Sequence, residues 1–586
     1  MKRMIKKFIN GLDMIGHKNV VLYIMLYLLC AGNLLFMHYT IAGATKTEDN
    51  LYCYDYVDNI AGVVFDVTVL LIIFLLITCR RLKCSLLMAF LISLSWSFSN
   101  VLYSRFFGQY ISWSAFMQTS NLANDFILSC LGDGMAYSDL LFVLWGAFFT
   151  YLYRLAQPVR LGASSLLKFL LLPLGTLCCN VLTVLIIAPQ NYSNDSFWWN
   201  MDRRFYSSLQ STLSPQLTNF VSGSLRVLAM SAWSDITVSR NLSAEERAQV
   251  HQEARNHDLR KTSGHQRADV DNVIFIIVES YLSFTSDMKV GGVEVTPCLN
   301  ALKRDSSVYY NGRMRSNISI GESSDGQFIY MTGLLPLQGS ITVNKAKSIK
   351  LPGLATRLKK QFGGMKARMI IPTLPSFWSQ ADMCRQYGFD DLFSETDYSP
   401  EACSCLNDEQ IFDLAMKEDS LHTGSFFSTI LTMSMHSPYS YPIESADTLL
   451  RDKSLPEKLC NYLTAAHYTD KQIGRYLQWL KNKGLYEKSL IVITADHHAH
   501  ARMLDMKGKL SEDIPLYIIN GKINPDTAFY GPCNQLDVYT TILDVLAIDD
   551  DWLGLGHTLL GKDYTPSVND RISKLSEAII CGGYFN

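Results

Sequence analysis

Polar side chains suited to binding a metal ion stand directly after two apolar runs in the second half of the 586-residue chain. Glu279 follows residues 272–278, and the pair Asp496 and His497 follows residues 489–495. Such runs are typical of strands buried on both faces, and in open α/β sheets the chemistry lies beyond the carboxyl ends of the strands. Two carboxylates and an imidazole at such an edge predict a site for one divalent ion, with Zn²⁺, Mn²⁺ and Mg²⁺ as candidates.

A hydroxyl group that could act as a nucleophile lies in the sequence GESSDGQF at residues 321–328. Taken alone, this stretch favours a surface turn, because Gly, Ser and Asp are common turn residues. The alternative is that Ser323 begins a helix, whose free N–H groups favour an anion such as phosphate. The metal ligands support this alternative, since a serine that binds a metal ion loses its proton more readily and attacks phosphorus or sulfur.

Three more side chains are candidates for contacts with a substrate. His436 follows the apolar run 425–434, Trp378 follows the run 367–372, and His500 lies just beyond the metal ligands. Each also has an ordinary structural explanation, as a loop histidine or a core tryptophan. Because an imidazole titrates near neutral pH, His436 and His500 are the candidates for a general acid and a general base.

The elements that must position these side chains begin near residue 269. Short apolar runs alternate with helical patterns such as residues 461–484. That alternation predicts an α/β domain with a mainly parallel sheet over residues 269–586. Residues 190–268 predict a juxtamembrane helical connector, in which Ser243 and Glu246 have the spacing of a capping box.

The first 189 residues predict a membrane domain. A bilayer takes about 20 apolar residues to cross, and five apolar runs of that kind lie approximately at 19–41, 59–79, 84–104, 136–156 and 166–188. Lys and Arg are concentrated before the first run, between the second and third, and between the fourth and fifth. The positive-inside rule therefore places the N-terminus in the cytoplasm and the α/β domain outside it. We predict a five-helix transmembrane domain joined to an extracytoplasmic α/β domain.

Composition excludes one class of partner. Hydrophobic residues make up 48% of the chain and charged residues 18%, and the formal net charge is −2. Because nucleic acid binding depends on a concentration of positive charge, this balance gives no electrostatic basis for it.

The order of the motifs resembles the lipoteichoic acid synthase family. The matching stretches, behind the apolar runs, are VIFIIVES, GESSDGQF, SMHSPY, AAHYTDKQIGRYLQWL and LIVITADHH. Members of that family are sulfatase-like enzymes of the alkaline phosphatase superfamily that transfer phosphoglycerol from phosphatidylglycerol. The resemblance implies a phospholipid donor, a glycan or glycolipid acceptor, and a multi-pass protein of the bacterial cytoplasmic membrane whose catalytic domain lies outside the cytoplasm.

The resemblance also implies roles for individual residues. The positions that match the single metal site of the family, which usually holds Mn²⁺, are Glu279, Ser323, Asp496 and His497. Ser323 stands in place of the usual nucleophilic threonine. His436 matches the histidine that binds the phosphoryl or head group, and Trp378 matches a tryptophan of the substrate pocket.

Two positions depart from the family pattern. The family places a histidine seven residues before the tryptophan and an arginine two residues after it, whereas this chain has Ile371 and Gln380. The transferred head group therefore stays open between phosphoglycerol and phosphoethanolamine. A sulfatase-like hydrolase, either a phosphodiesterase or a sulfuric ester hydrolase, is the alternative function, although the sulfatase motif C/S-x-P-x-R is missing from SSDGQ at residues 323–327. A catalytically inactive protein is disfavoured because all four metal positions keep competent ligands.

Overall fold

The structure is a computed structural model. It describes residues 17–45, 53–107, 110–117, 135–162, parts of 171–178 and 219–252, and residues 267–586 apart from 339, 399–404, 422–423, 438, 440–449, 500–503 and 507. The chain divides into two compact units. The membrane unit comprises Met1–Trp113 and Leu131–Ile236, and the sheet unit comprises Ser114–Cys130 and Thr237–Asn586.

Long apolar helices form the described part of the membrane unit. They are His17–Thr45, Cys53–Ile77, Leu82–Phe107, Leu140–Leu155 and Ser224–Thr237. Three of them contain stretches that are long and apolar enough to cross a membrane, namely Lys18–Gly43, Tyr56–Ile77 and Leu82–Arg105. These correspond to the first three predicted spans.

The predicted count of five spans is not confirmed. The fourth predicted span, residues 136–156, contains the helix Leu140–Leu155 of 16 residues. At 1.5 Å per residue that helix is about 24 Å long, shorter than a hydrocarbon core of about 30 Å. A short 3-10 turn precedes it, because the Asp139 carboxylate binds Arg105 at 2.6 Å and accepts the N–H of Ala136 at 2.9 Å. The fifth predicted span, residues 166–188, lies almost entirely outside the described residues.

The helix Ser224–Thr237, which the sequence places in the connector, packs within the membrane unit. The buried Asp66 carboxylate accepts hydrogen bonds from the backbone N–H groups of Leu225 at 2.9 Å and Arg226 at 3.0 Å. The first N–H groups of a helix have no partner inside the helix, so a carboxylate there satisfies them away from water.

An eight-stranded sheet forms the centre of the sheet unit. Its strands, together with the hairpin of β2 and β3, are β1 Asn272–Val278, β2 Lys289–Val290, β3 Val293–Glu294, β4 Tyr309–Arg315, β5 Lys366–Ile370, β6 Asp391–Phe393, β7 Phe426–Leu431, β8 Ser489–Ala495, β9 Ile514–Ile519 and β10 Cys533–Asn534. The order across the sheet is β10-β4-β9-β8-β1-β7-β5-β6. From β8 to β6 all neighbours run parallel, whereas β9 runs antiparallel to both β8 and β4. The predicted α/β fold with a mainly parallel sheet is confirmed.

All five apolar runs that predict strands, including residues 514–520, form strands of the sheet, whereas its strands β4, β6 and β10 and the β2–β3 hairpin were missed. The bounds of β1 and β8 are as predicted, and β5, β7 and β9 end earlier than their apolar runs. Strand β4 has the sequence YYNGRMR, which alternates in burial and shifts register between Asn311 and Met314, so it shows no continuous apolar run. The helices that position the site residues include Ser323–Thr332, which we call the Ser323 helix, and Glu457–Asn482.

Candidate metal centre

The register between β1 and β8 brings the predicted metal ligands to one edge of the sheet. The two strands are parallel neighbours, and their last residues, Val278 and Ala495, are paired. Glu279 and Asp496 therefore leave the sheet side by side, and His497 follows directly. The ligand atoms of these three residues lie within 4.8 Å of one another, and all three residues are buried.

Ser323 lies against this cluster as the first residue of its helix. Its Oγ atom is 3.3 Å from Glu279 Oε2 and 3.2 Å from His497 Nε2. The same nitrogen of His497 is 3.5 Å from Glu279 Oε1 and 3.5 Å from Asp496 Oδ2. The structure thus brings together the four residues that the sequence analysis grouped as a metal site, which we call the metal edge.

Backbone contacts fix the position of the Ser323 helix. A Cβ atom at Gly326 would lie 2.0 Å from the backbone oxygen of Asp496, so only glycine fits without moving the helix or the end of β8. The buried carboxylate of Asp325, in the first turn of the helix, accepts hydrogen bonds from the N–H groups of Ser319 and Gly321 in the preceding segment, both at 2.9 Å. The hydroxyl group of Ser323 is therefore placed by packing and hydrogen bonds that do not involve its own side chain.

The second ring nitrogen of His497 determines which nitrogen faces the cluster. Nδ1 donates a hydrogen bond to the backbone oxygen of His498 at 3.0 Å. Because a carbonyl can only accept, Nδ1 carries a proton, so Nε2 is the nitrogen that faces Glu279 and Asp496, and in the neutral imidazole it carries the lone pair. Glu322 Oε2 lies 3.8 Å from the same Nδ1.

The two carboxylates and the imidazole of the metal edge shift one another's pKa values. Burial and the neighbouring Glu279 carboxylate raise the pKa of Asp496 to about 8. Burial also acts to raise the pKa of Glu279, but the hydrogen bond and charge of His497 hold it below its usual range. Burial acts to lower the pKa of His497, and the charges of Asp496 and Glu279 outweigh it and raise that pKa. These opposed shifts mean that the groups compete for protons in a place where a cation would relieve their repulsion.

Three residues that the sequence analysis did not single out hold the ligands in place. The backbone N–H of Ser280 donates to Asp496 Oδ1 and its hydroxyl group to Glu279 Oε1, both at 2.8 Å. Thr432 Oγ1 accepts the N–H of Glu279 at 3.0 Å, and Gln535 Nε2 donates to the backbone oxygen of Asp496 at 2.6 Å. Ser280 could have been found from its place beside Glu279, whereas nothing in the sequence distinguishes Thr432 or Gln535.

His436 lies in the loop after β7 and is half-buried. Its Nδ1 donates to the backbone oxygen of Ser437 at 2.5 Å. The buried carboxylate of Asp408 holds this loop by accepting the N–H groups of Met433 and Ser434 at 2.8 and 2.9 Å. The charge of His436 reaches Glu279 and contributes to lowering its pKa, so the loop lies near the metal edge. His500 lies outside the described residues.

The segment after β5, residues 371–380, contains Trp378 and the two departures from the family pattern. We call it the β5 loop. Trp378 is 9% exposed and has φ of 50°, a left-handed conformation that non-glycine residues rarely adopt. Ile371 is fully buried and donates its N–H to Phe393 O at 2.9 Å, as an extension of the sheet. Gln380 is 4% exposed, and its Oε1 has no hydrogen-bond partner among the residues that the structure describes.

The residues of the metal edge fit a divalent ion. Two carboxylates, one imidazole lone pair and one hydroxyl group form a mixed oxygen and nitrogen set, of the kind that Mn²⁺, Mg²⁺ and Zn²⁺ accept. The raised pKa of Asp496 and the short distances between like charges are the observations that call for a cation here.

The fold and the site define the class of protein. Residues 271–548, which include the whole metal edge, match the Sulfatase family. The chain therefore contains a sulfatase-like domain, and it is an enzyme.

The resemblance to the lipoteichoic acid synthases is also confirmed. Lipoteichoic acid synthase 2 of Bacillus subtilis (strain 168) is 26% identical over 519 residues, which are 82% of this chain and 73% of that protein. Lipoteichoic acid synthase 1 of the same organism is 25% identical over 51% of this chain and 49% of its own length. The chain thus spans about three quarters of the first relative and about half of the second.

Among the solved structures that the chain resembles is a lipoteichoic acid synthase. The lipoteichoic acid synthase LtaP from Listeria monocytogenes has a TM-score of 0.44 and 20% identity, over 53% of this chain and 81% of that chain.

Proposed function

We propose that the chain is a membrane-anchored, metal-dependent phosphotransferase that moves a phospholipid head group to an extracytoplasmic glycan or glycolipid acceptor. The observation that carries the proposal is the position of Ser323 Oγ, at the start of a helix and 3.2–3.3 Å from His497 Nε2 and Glu279 Oε2. A hydroxyl group in that position combines a metal ligand set with the N–H groups of a helix start, which favour a phosphate.

Glu279, Ser323, Asp496 and His497 are the residues that would hold the ion, and Mn²⁺ is the ion we propose. When bound, the ion would neutralise negative charge on phosphoryl oxygens and favour the deprotonated form of the serine. The sequence around Ser323 lacks the Pro and Arg of the sulfatase motif, which favours phosphorus over sulfur as the atom attacked.

The chain's own residues account for the two chemical steps. Ser323 Oγ, in its deprotonated form at the start and at the end of the cycle, forms a bond to phosphorus, and the bond from phosphorus to the diacylglycerol oxygen breaks, which leaves the phospho-head-group on the serine. The leaving oxygen needs a proton, and the imidazole of His436 is the group we assign to supply it. In the second step an acceptor hydroxyl attacks the same phosphorus, Ser323 is released, and His436 takes up the proton of the acceptor.

The membrane unit would anchor the catalytic domain to the membrane that contains the lipid donor. We propose residues 1–189 as the membrane domain, 190–268 as the connector and 269–586 as the catalytic domain outside the bacterial cytoplasmic membrane. Its three apolar helices support anchoring, and a lipid donor gives the anchor a purpose.

The β5 loop bears on the head group. Trp378 and His436 are our candidates for contacts with it, as is His500, although His500 lies outside the described residues. Ile371 and Gln380 provide no positive charge, whereas the family pattern has a histidine and an arginine. We therefore propose phosphoethanolamine alongside phosphoglycerol as the head group.

Product analysis tests the proposal. The purified full chain in detergent with Mn²⁺ would be given phosphatidylglycerol or phosphatidylethanolamine labelled in the head group. We expect the label to appear on an added glycolipid acceptor, with release of unlabelled diacylglycerol. When the acceptor is left out, we expect the label on Ser323. Release of the free phospho-head-group at the same rate with and without acceptor would instead identify a phosphodiesterase.

A further inference from the structure

Glu322 combines an unfavourable backbone conformation with a buried carboxylate beside the metal edge. Its backbone has φ of 44° and ψ of −118°, directly before Ser323. Residues with a Cβ rarely adopt this region, which glycine enters without strain. A glycine would therefore form this turn with less backbone strain. The glutamate at this position suggests that its side chain has a function.

The side chain reaches the outer nitrogen of a metal ligand. Glu322 Oε2 lies 3.8 Å from His497 Nδ1, and the Glu322 side chain is 12% exposed. That distance is too long for a hydrogen bond. The Nδ1–H group already donates to His498 O at 3.0 Å, so the carboxylate adds negative charge beside a hydrogen bond that is already formed.

We propose that Glu322 is a positioning residue that strengthens metal binding through His497. A carboxylate on the Nδ1 side of a histidine favours the tautomer with Nδ1 protonated and makes the lone pair on Nε2 a better ligand. Glu322 and Ser323 are adjacent in the chain and contact the two nitrogens of one imidazole, Nδ1 and Nε2. The turn therefore fixes the position of the His497 ring relative to Ser323, because Glu322 lies beside Nδ1 and Ser323 lies beside Nε2.

This inference rests on the proposed function, because it requires that His497 binds a metal ion. The experiment uses the full chain, freed of metal with a chelator, and measures the Kd for Mn²⁺ by calorimetry together with the Tm of the metal-free protein. The variants are Glu322→Gln, which keeps the shape, and Glu322→Gly, which also removes the backbone strain. The matched control is Glu512→Gln, since Glu512 is an exposed carboxylate 3.9 Å from the ring of the next residue, His498.

We expect the Kd for Mn²⁺ to rise by up to about 10-fold in both Glu322 variants, the lower end of the range found when the hydrogen-bond partner of a ligand histidine is removed, because Glu322 acts through its charge and not through a hydrogen bond. Glu322→Asp should recover part of the affinity. In Glu322→Gly the Tm of the metal-free protein should not fall, because glycine adopts this conformation without strain. A residue with a merely structural role would lower the Tm and leave the Kd unchanged.

Two results would overturn the inference in different ways. Equal Mn²⁺ affinity in wild type and Glu322→Gln would refute the role of Glu322 and leave the metal site standing. A folded wild type that binds no Mn²⁺ would refute the proposed function, and this inference with it. A loss of affinity in Glu512→Gln as large as that in Glu322→Gln would show a general effect of surface charge, and it too would refute the specific role.

Discussion

The metal edge and the β5 loop both lie beyond parallel strands of the same sheet, but they differ in whether their polar groups have partners. At the metal edge, Ser323, Glu279 and His497 have charged or hydrogen-bonding partners within 3.5 Å. In the β5 loop, Ile371 is fully buried, and Gln380 is buried with an oxygen that lacks a partner in the described part of the chain.

The difference separates two requirements of a transferase. Breaking and forming a bond at phosphorus needs a fixed nucleophile and a fixed site for a cation, and those groups tolerate little displacement. Recognition of a head group depends on which side chains surround it, and a charge there can be exchanged for another contact. The metal edge contains the groups that the proposed mechanism assigns to the first requirement, whereas Ile371 and Gln380 provide no cationic group for the second.

The nucleophile gives the largest expected effect. Ser323→Ala removes the only atom that forms a bond to phosphorus in the proposed mechanism, so turnover should fall about a thousandfold or more. Incubation with a labelled phospholipid, followed by peptide mapping, should find no label on the variant and a label on Ser323 of the wild type.

Ser324 provides the matched control for this variant. Its hydroxyl group is buried and donates to Gly321 O at 2.7 Å, so Ser324→Ala should cost about 1 kcal/mol of stability and reduce turnover only modestly. A label on Ser324, or turnover retained by Ser323→Ala, would refute the assignment of Ser323 as the nucleophile.

Removal of a metal ligand gives the next largest effect. Glu279 and Asp496 are buried, with 6% and 3% of their surfaces exposed. An alanine would leave the buried partner groups unpaired, so the suitable changes are Glu279→Gln and Asp496→Asn. Elemental analysis should find less than one equivalent of metal in both variants, and circular dichroism should find an intact fold. A full complement of metal in both would refute the site.

The head group gives an intermediate effect. An arginine at position 380 could form a charge-assisted hydrogen bond with a phosphate, worth about 1.5–3 kcal/mol, and 1.4 kcal/mol corresponds to a tenfold change in affinity. We expect Gln380→Arg to shift the ratio of turnover from phosphatidylethanolamine toward phosphatidylglycerol by about tenfold. The control is Gln380→Met, which changes neither charge nor length greatly.

Ile371 is unsuited to the same test. Because its side chain is fully buried in the sheet, Ile371→His would place an imidazole in an apolar core and test stability instead of recognition. A wild type that strongly prefers phosphatidylglycerol, with no gain in Gln380→Arg, would show that the β5 loop does not set the head group.

The smallest effect on turnover is expected behind the nucleophile, at Asp325. Burial raises the pKa of this carboxyl group from 3.8 to about 7. Between those values the folded protein binds more protons than the unfolded chain, so its stability falls as the pH rises through this window, by at most about 1.4 kcal/mol per pH unit. Asp325→Asn should flatten the dependence of the free energy of unfolding on pH from about 4 to 7. An unchanged slope would show that Asp325 is ionised throughout.

The site was more predictable than the membrane unit for a physical reason. Glu279 and Asp496 follow continuous apolar runs that can only be buried strands, and neighbouring parallel strands bring their carboxyl ends together. Glu322 had no such signal, because its importance depends on a backbone angle and on a contact with a residue 175 positions away. In the membrane unit, a 3-10 turn at Tyr137–Asp139 and the ion pair between Asp139 and Arg105 lie at the start of the fourth apolar run, and hydropathy reveals neither.

The contact between Gly326 and the backbone oxygen of Asp496 also limits how the enzyme can evolve. A larger residue at position 326 would require the Ser323 helix or the end of β8 to move, and would thereby change the distances between the serine and the candidate metal ligands. No compensating change of a side chain can restore that geometry, since one of the two clashing groups is backbone. Substitutions in the β5 loop can therefore change which substrates bind without moving the nucleophile. Substitutions at Gly326 cannot, because the position of the Ser323 hydroxyl group depends on this glycine.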